Sequence, residues 1–428
     1  MGIVLKSGNL IDGTGKIVEG AVVVMEDSTI TAVGKAEEVR IPPGKHKVID
    51  VQGMSILPGL MDLHDHLHGD ASDSMDGRLH DRFGEQVSFT EDHDAYLAVL
   101  MVENAKKALG AGFTTIRDTG SPRDLTIDIA RAERDGLFVG PQILACSTID
   151  ITVPASKKQV HGITGSNITG AVEAVRLARE KIASGADWLH LRATGAAAGM
   201  WGADTELLSE EEMRAATEEA HKFGKRVASN ACGVRGMKNA LKAGVDSIEH
   251  GTHIGEDDEV IRMMLDRQVG WVPTLYVSIA KKEQADAAKA RGGKSGLPEY
   301  WLKRELELID LWRRGFEKVM AAGVLTGVGT DTGAPYMEHG KNAKELEIYV
   351  MYGMSEMQAI EAATRVNAEI LGMEDRLGTV EAGKDADVIV VKKDPLKDIR
   401  VLQENENVVL VFRGGRIVVD RRGKTIDG

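Results

Sequence analysis

At 428 residues the chain is long enough for one large α/β domain and a smaller one, and its composition, 43% hydrophobic and 28% charged, excludes a disordered or fibrous protein. A net charge of −13 supplies no basic field for a phosphate backbone, which argues against a nucleic-acid partner and for small-molecule chemistry. Cys146 and Cys232 are too few for a disulfide framework, no apolar run approaches the length of a membrane span, and the start Met1-Gly-Ile-Val-Leu-Lys lacks a charged-then-apolar leader, so a cytoplasmic protein with no membrane partner is expected.

Residues 1 to 57 read as short strands: Ile3-Val-Leu, Ala21-Val-Val-Val-Met, Thr29-Ile-Thr-Ala-Val and Lys47-Val-Ile-Asp, punctuated by Asp12-Gly13 and Pro42-Pro43-Gly44. Alone this is half a sheet. Pro58-Gly-Leu-Met-Asp-Leu-His64-Asp-His66 then runs apolar into two histidines one residue apart. Alternate side chains of a strand share a face, so His64 and His66 aim two imidazoles into one space, as a site for Zn²⁺ or a similar divalent ion requires.

Beyond this strand, helix-like and strand-like segments alternate. Ala98 to Leu109 has a helical period and precedes strand-like Thr114-Thr-Ile-Arg; Glu210 to Phe223 precedes Arg226-Val-Ala-Ser. Repeated βα units imply a parallel sheet, and residues 58–372 suit a closed (β/α)₈ barrel. A doubly wound sheet fits less well, because no Gly-x-Gly-x-x-Gly opens a helix after an early strand. Strand patterns return at Ala386-Asp-Val-Ile-Val-Val, Val408-Val-Leu-Val-Phe and Gly415-Arg-Ile-Val-Val. Two β-rich ends that each lack a partner can bury their faces together, so residues 1–57 and 373–428 are expected to form one small discontinuous β-sandwich beside the TIM-like barrel.

The His-x-His strand, Gly112-Phe-Thr-Thr-Ile-Arg-Asp118, Ala243-Gly-Val-Asp-Ser-Ile-Glu-His-Gly251, Gly327-Val-Gly-Thr-Asp331 and Leu377-Gly-Thr-Val-Glu-Ala-Gly-Lys-Asp-Ala-Asp387 span nearly the whole chain. Together they resemble the imidazolonepropionase-like and prolidase-like branch of the amidohydrolase superfamily. The resemblance implies a reaction centre at the C-terminal ends of the barrel strands. It makes His64 and His66 first-strand metal ligands, His250 the sixth-strand histidine and Asp331 the eighth-strand aspartate. It also implies a homo-oligomer.

Two positions depart from the pattern of that branch. Its fourth strand carries a lysine, carbamylated to bridge two metals, where Leu189-His190-Leu191-Arg192-Ala193-Thr194-Gly195 has His190. A carbamate offers two oxygens, whereas a neutral imidazole gives a metal one lone pair. Its fifth strand carries a ligand histidine where Ser229-Asn230-Ala231-Cys232-Gly233 has Asn230, whose amide oxygen is a poorer Zn²⁺ donor. Cys232, two residues on, can be a thiolate ligand, a nucleophile or an inert packing residue. Arg192 shares the face of His190 and can bind a substrate carboxylate or satisfy a neighbouring acid. His161 and His339 fall in loop-like segments and are candidate substrate contacts, while His221, in a helix, reads as structural.

The expected function is hydrolysis of an amide, dipeptide or cyclic-amide C–N bond by a metal-activated water. One Zn²⁺ is held by His64, His66, His190 and Asp331, Asp331 shuttles the proton, and His250 orients or polarises the carbonyl. The alternative keeps the scaffold without hydrolysis, as a metal-assisted lyase or isomerase, or as an inactivated or redesigned binding protein.

Overall fold

The structure, a computed structural model, describes residues 2–41, 43–69, 78–80, 86–88, 94–151, 167–196, 202–292 and 299–422. In chain order the strands are β1 (Gly2–Ile11), β2 (Ile17–Glu26), β3 (Thr29–Lys35), β4 (His46–Asp50), β5 (Ser55–Pro58), β6 (Leu60–Asp65), β7 (Arg78–His80), β8 (Gln86–Ser88), β9 (Phe113–Asp118), β10 (Gln142–Ile151), β11 (Asn167–Ile168), β12 (Trp188–Arg192), β13 (Arg226–Ala231), β14 (Ser247–His250), β15 (Gly270–Val272), β16 (Val388–Val391), β17 (Val408–Arg413) and β18 (Arg416–Asp420).

Seven of them, in the order β6-β9-β10-β12-β13-β14-β15, form a parallel sheet wound into a barrel. Residues 324–332 close it as an irregular segment rather than a regular eighth strand. The Trp271 N–H donates to Leu325 O and the Gly327 N–H to Trp271 O on one side; the Leu63 N–H donates to Val328 O and the His66 N–H to Thr332 O on the other, all at 2.8–2.9 Å. Helices follow the strands, among them Asp94–Gly110 after β6 and Glu210–Lys222 after β12. Ser209 caps the second of these, its hydroxyl accepting from the Glu212 N–H while its own N–H donates to the Glu212 carboxylate. Met213, Ala216 and Ala220 share the buried face of that helix, and they pack with Leu189, Val227 and Ile248 from the outer faces of the strands. Each aliphatic side chain so buried is worth about 1.5–3 kcal/mol.

The two chain ends meet in a second sheet, β18-β17-β16-β5-β1-β2-β3, with β4 also on β1. β16 runs antiparallel to β5, Val388 opposite Pro58 and Val391 opposite Ser55. Leu5, Leu10, Val23, Ile56, Val390, Leu410 and Phe412 give this sheet its own apolar core. Gly59 is the whole connection between β5 of this sheet and β6 of the barrel. Its N–H donates to Asp387 O at 2.9 Å, and a Cβ there would lie 2.0 Å from Thr114 Oγ1, so no larger residue fits without movement. No helix among the described residues is long and apolar enough to cross a membrane.

Candidate metal centre

Strand alternation sorts the residues at the barrel mouth. On β12, Leu189 and Leu191 join the outer core, leaving Trp188, His190 and Arg192 on the inner face. On β14, Ile248 points outward and Ser247 and Glu249 inward, so a regular continuation would turn His250 away from the interior. The backbone prevents this: His250 and Gly251 adopt φ of 62° and 61°, and the His250 carbonyl accepts from Trp271 Nε1–H at 2.8 Å. Asp331 has φ of 61°. Left-handed backbone at two non-glycine residues costs about 1–3 kcal/mol each and is characteristic of functional sites.

The result is a group of three donors. One ligand atom each from His64, His250 and Asp331 lie within 4.8 Å of one another. His64 is buried, and its Nδ1 lies 3.0 Å from Glu249 Oε2. Glu249 Oε1 in turn accepts from Arg117 Nη2 at 2.7 Å and from Ser247 Oγ at 2.6 Å. Burial alone would raise the Glu249 carboxyl, but the Arg117 guanidinium and His64 bring it down to about 2. An anionic Glu249 accepts the Nδ1 proton of His64, which leaves Nε2 as a lone pair facing the centre. Among the described residues that Nε2 is buried without a hydrogen-bond partner, and so is Asp331 Oδ1, 3.7 Å away. Two orphaned buried acceptors of this kind fit a cation between them.

His66 stands beside this pair, its Nε2 3.3 Å from Asp331 Oδ1 and its Nδ1 3.1 Å from Gly120 O. Burial would lower its pKa, but the Asp331 carboxylate dominates and lifts it to about 8. Burial likewise opposes ionisation of Asp331, yet the His66 imidazole beside it holds its carboxyl well below the usual range. His250, whose Nδ1 is 2.7 Å from Thr274 Oγ1, is pushed down to about 3 by burial and by His64, so it is neutral.

The two departures from the family pattern engage each other. His190 Nε2 lies 3.0 Å from Asn230 Oδ1, and its Nδ1 lies 3.2 Å from Thr148 Oγ1. With both ring nitrogens in hydrogen bonds, His190 is outside the donor group that contains His64, His250 and Asp331. Burial and the nearby His64 push its pKa well down, so the ring is neutral and donates from one nitrogen only. Arg192 is buried with Nε 3.3 Å from Asp150 Oδ2. Cys232 is buried, and its backbone N–H donates to Thr194 Oγ1 at 2.9 Å. His339 is buried with Nε2 3.0 Å from Asp65 Oδ1, which ties it to the end of β6. His221 pairs with Asp246 at 2.9 Å on the helix surface. His161 lies outside the described residues.

Glu249 and Arg117 were within the quoted motifs but carried no assigned role. Asp62 and Asn342 likewise carried no assigned role: Asn342 Nδ2 donates to Asp62 Oδ2 at 2.7 Å and to Asp65 Oδ2 at 3.2 Å, tying the loop after Asp331 to β6. The signal for Asp62 was a charged residue inside an otherwise apolar strand.

The Amidohydrolase family profile matches residues 55–418. Ochratoxinase of Aspergillus niger is 28% identical over 447 aligned residues, covering 97% of this chain and 86% of that one. Imidazolonepropionase of Micrococcus luteus is 24% identical, covering 89% and 90%. The crystal structure of a Xaa-Pro dipeptidase with bound methionine in the active site superposes with a TM-score of 0.83 at 30% identity, covering 98% of this chain and all of that one. With the profile running from β5 through to β18 and the likeness extending over both sheets, the chain belongs to the amidohydrolase family and is a hydrolase of C–N bonds.

Proposed function

We propose that the chain cleaves the amide bond of a small N-acyl compound or dipeptide at a centre for one divalent ion, with His64, His250 and Asp331 as its ligands and His66 next to them. The observation that carries this reading is the pair of orphaned buried acceptors, His64 Nε2 and Asp331 Oδ1, inside that donor group. Two imidazoles and a carboxylate suit Zn²⁺ best. A bound ion of this kind supplies Lewis acidity toward the carbonyl and acidifies water.

The residues of the chain do the rest. Glu249 and Arg117 fix the His64 ring so that its Nε2 faces the centre. Asp331, anionic and surrounded by imidazoles, is placed to take a proton on its carboxylate and pass it to the leaving nitrogen. His66, with Nε2 3.3 Å from Asp331 Oδ1, flanks the carboxylate in that role. The substrate range follows the relatives: a dipeptidase that holds methionine points toward amides of amino acids.

The test is hydrolysis of a panel of N-acyl amino acids, dipeptides and cyclic amides by the Zn²⁺-loaded protein. Turnover of at least one class is expected, together with a loss of about 100-fold or more in Asp331→Asn. Bound metal with no turnover across the panel would overturn the reading.

A further inference from the structure

Asn230 of β13 lies in register between Arg192 of β12 and Glu249 of β14, and the next residue, Ala231, is opposite His250. Val227 and Ala231 belong to the outer core and Ala228 to the barrel interior, so Asn230 faces inward with Ala228. Its neighbours along the strand, Val227 to Ser229 and Ala231, are buried, whereas Asn230 is half-buried, so its side chain reaches the open mouth. The amide Oδ1 is held at 3.0 Å by Nε2 of His190, whose ring centroid is 5.9 Å from that of His64. A planar amide held by its oxygen turns its NH2 the other way, and no acceptor among the described residues meets that group. The buried asparagines differ. Asn104, Asn342, Asn367 and Asn407 each spend both amide hydrogens on two protein acceptors at 2.7–3.2 Å. An amide kept only to satisfy His190 needs just its oxygen; Asn230 also holds two oriented donors toward the mouth, with the His64 donor group beyond the His190 ring.

We infer that Asn230 is a catalytic residue whose Nδ2–H binds the carbonyl oxygen of the scissile amide and stabilises the negative charge that forms on it. The inference rests on the reading of the site as an amide hydrolase and adds a member to its machinery. As the water oxygen bonds to the carbonyl carbon, one water proton goes to the Asp331 carboxylate and the C=O π pair moves onto the carbonyl oxygen, where Nδ2–H donates to it. That pair then returns, the C–N bond breaks, and the proton passes from Asp331 to the departing nitrogen. The oxygen carries full charge only during the reaction, so the donor acts on kcat more than on substrate binding. His190 is the positioning residue: by donating to Oδ1 it fixes the amide before substrate arrives.

The test uses the Zn²⁺-loaded full chain, the amide of the panel that the wild type cleaves fastest, and N-methylphosphonyl-L-methionine as a tetrahedral probe whose charged phosphoryl oxygen takes the place of the reacting one. Asn230→Asp keeps Oδ1 for His190 and removes the donor; Asn230→Ala removes both. In both variants kcat should fall on the order of 100-fold with KM little changed, and calorimetric affinity for the phosphonyl probe should fall by a like factor. A loss in Asn230→Ala alone would mean that the amide only seats His190, a loss in Asn230→Asp alone that the added charge is at fault, and either would overturn the inference, as would wild-type rates in both. Nitrogen NMR of His190 should show a proton on Nε2; a bare Nε2 would mean that the amide turns its oxygen to the mouth, which also overturns it. Absence of turnover across the whole panel would overturn the hydrolase reading, and the probe would still decide Asn230: weaker binding to both variants than to the wild type supports the inference, while equal binding, or none, overturns it.

Discussion

His190 and Asn230 meet across adjacent strands at 3.0 Å, Nε2 to Oδ1. In this family those two positions are where a bridging anion and a further imidazole would support a second ion. Here each is the other's hydrogen-bond partner. Two divalent ions a few ångströms apart repel strongly and need bridging anionic oxygen to stay together. Elemental analysis of protein purified without added metal should therefore find about one equivalent per chain, as for a single catalytic site. His190→Lys combined with Asn230→His should raise it toward about two. Two equivalents in the unaltered chain would show that the His190 and Asn230 pair opens to admit a second ion.

In the proposed centre Glu249 would bear on the ion through His64, whose Nδ1 lies 3.0 Å from its Oε2. Replacing it by glutamine keeps the shape of the side chain but removes the anion that takes the Nδ1 proton and leaves Arg117 without its charge partner. Metal affinity should fall by about 10- to 100-fold. Competition with a chromophoric chelator measures this; an unchanged affinity would mean that the Glu249 contact does not orient the ring.

Stability should fall as pH rises through neutrality. Burial raises the Glu345 carboxyl from 4.5 to about 8, although it accepts from the N–H groups of Leu275 and Tyr276, each at 2.7 Å. A folded-state pKa above the unfolded one gives stability that is complete below about 4.5 and is lost as pH rises through about 8. Asp62, raised to about 7 by burial and by Asp65, acts with the same sign. One such group changes the unfolding free energy by up to about 1.4 kcal/mol per pH unit. Urea titrations between pH 5 and 8 should show a shallower decline in Glu345→Gln than in the wild type, and parallel declines would exclude Glu345 as the source.

Gly333 follows the Asp331 turn with φ of 97°, and a Cβ there would lie 2.2 Å from the His66 carbonyl oxygen. Gly333→Ala should cost about 1–3 kcal/mol in stability and weaken metal binding together with it, since the clash falls on the backbone of His66. A melting temperature within a degree of wild type would contradict the close approach.

How far these features could be read in advance depends on their physical range. The His64 and His66 pair follows from a period of two, and the strand segments at both chain ends follow from β-branched runs between turn residues. The need of each end for a partner was also accessible; which edges meet, β16 on β5, was not. The turning of His250 was not, because a left-handed residue before glycine is a backbone event that the side-chain pattern does not encode. The mutual bond of His190 and Asn230 depends on which rows of adjacent strands align, and so does the seat of His339 on Asp65. The irregular closure at residues 324–332 was read as an ordinary eighth strand; Gly327 and Gly329, where a Cβ would meet Asn367, Val272 and His64 at 2.3–2.8 Å, let the chain pass too close for regular pairing.

The seam between β5 and β16 has a consequence for how the molecule comes into being. Val388 lies opposite Pro58, 330 positions earlier in the chain. On the ribosome, the open edge of β5 must wait through synthesis of the entire barrel before the strand that covers it emerges. The His64 strand hangs from that waiting edge by Gly59 alone, so the centre cannot acquire its final geometry until about the last tenth of the chain is being made. Contacts of such separation form slowly, and unfinished chains expose a strand edge that invites association. Acquisition of metal should accordingly be a late, post-translational event, and chains cut short before residue 388 should accumulate as aggregates rather than as empty but folded barrels.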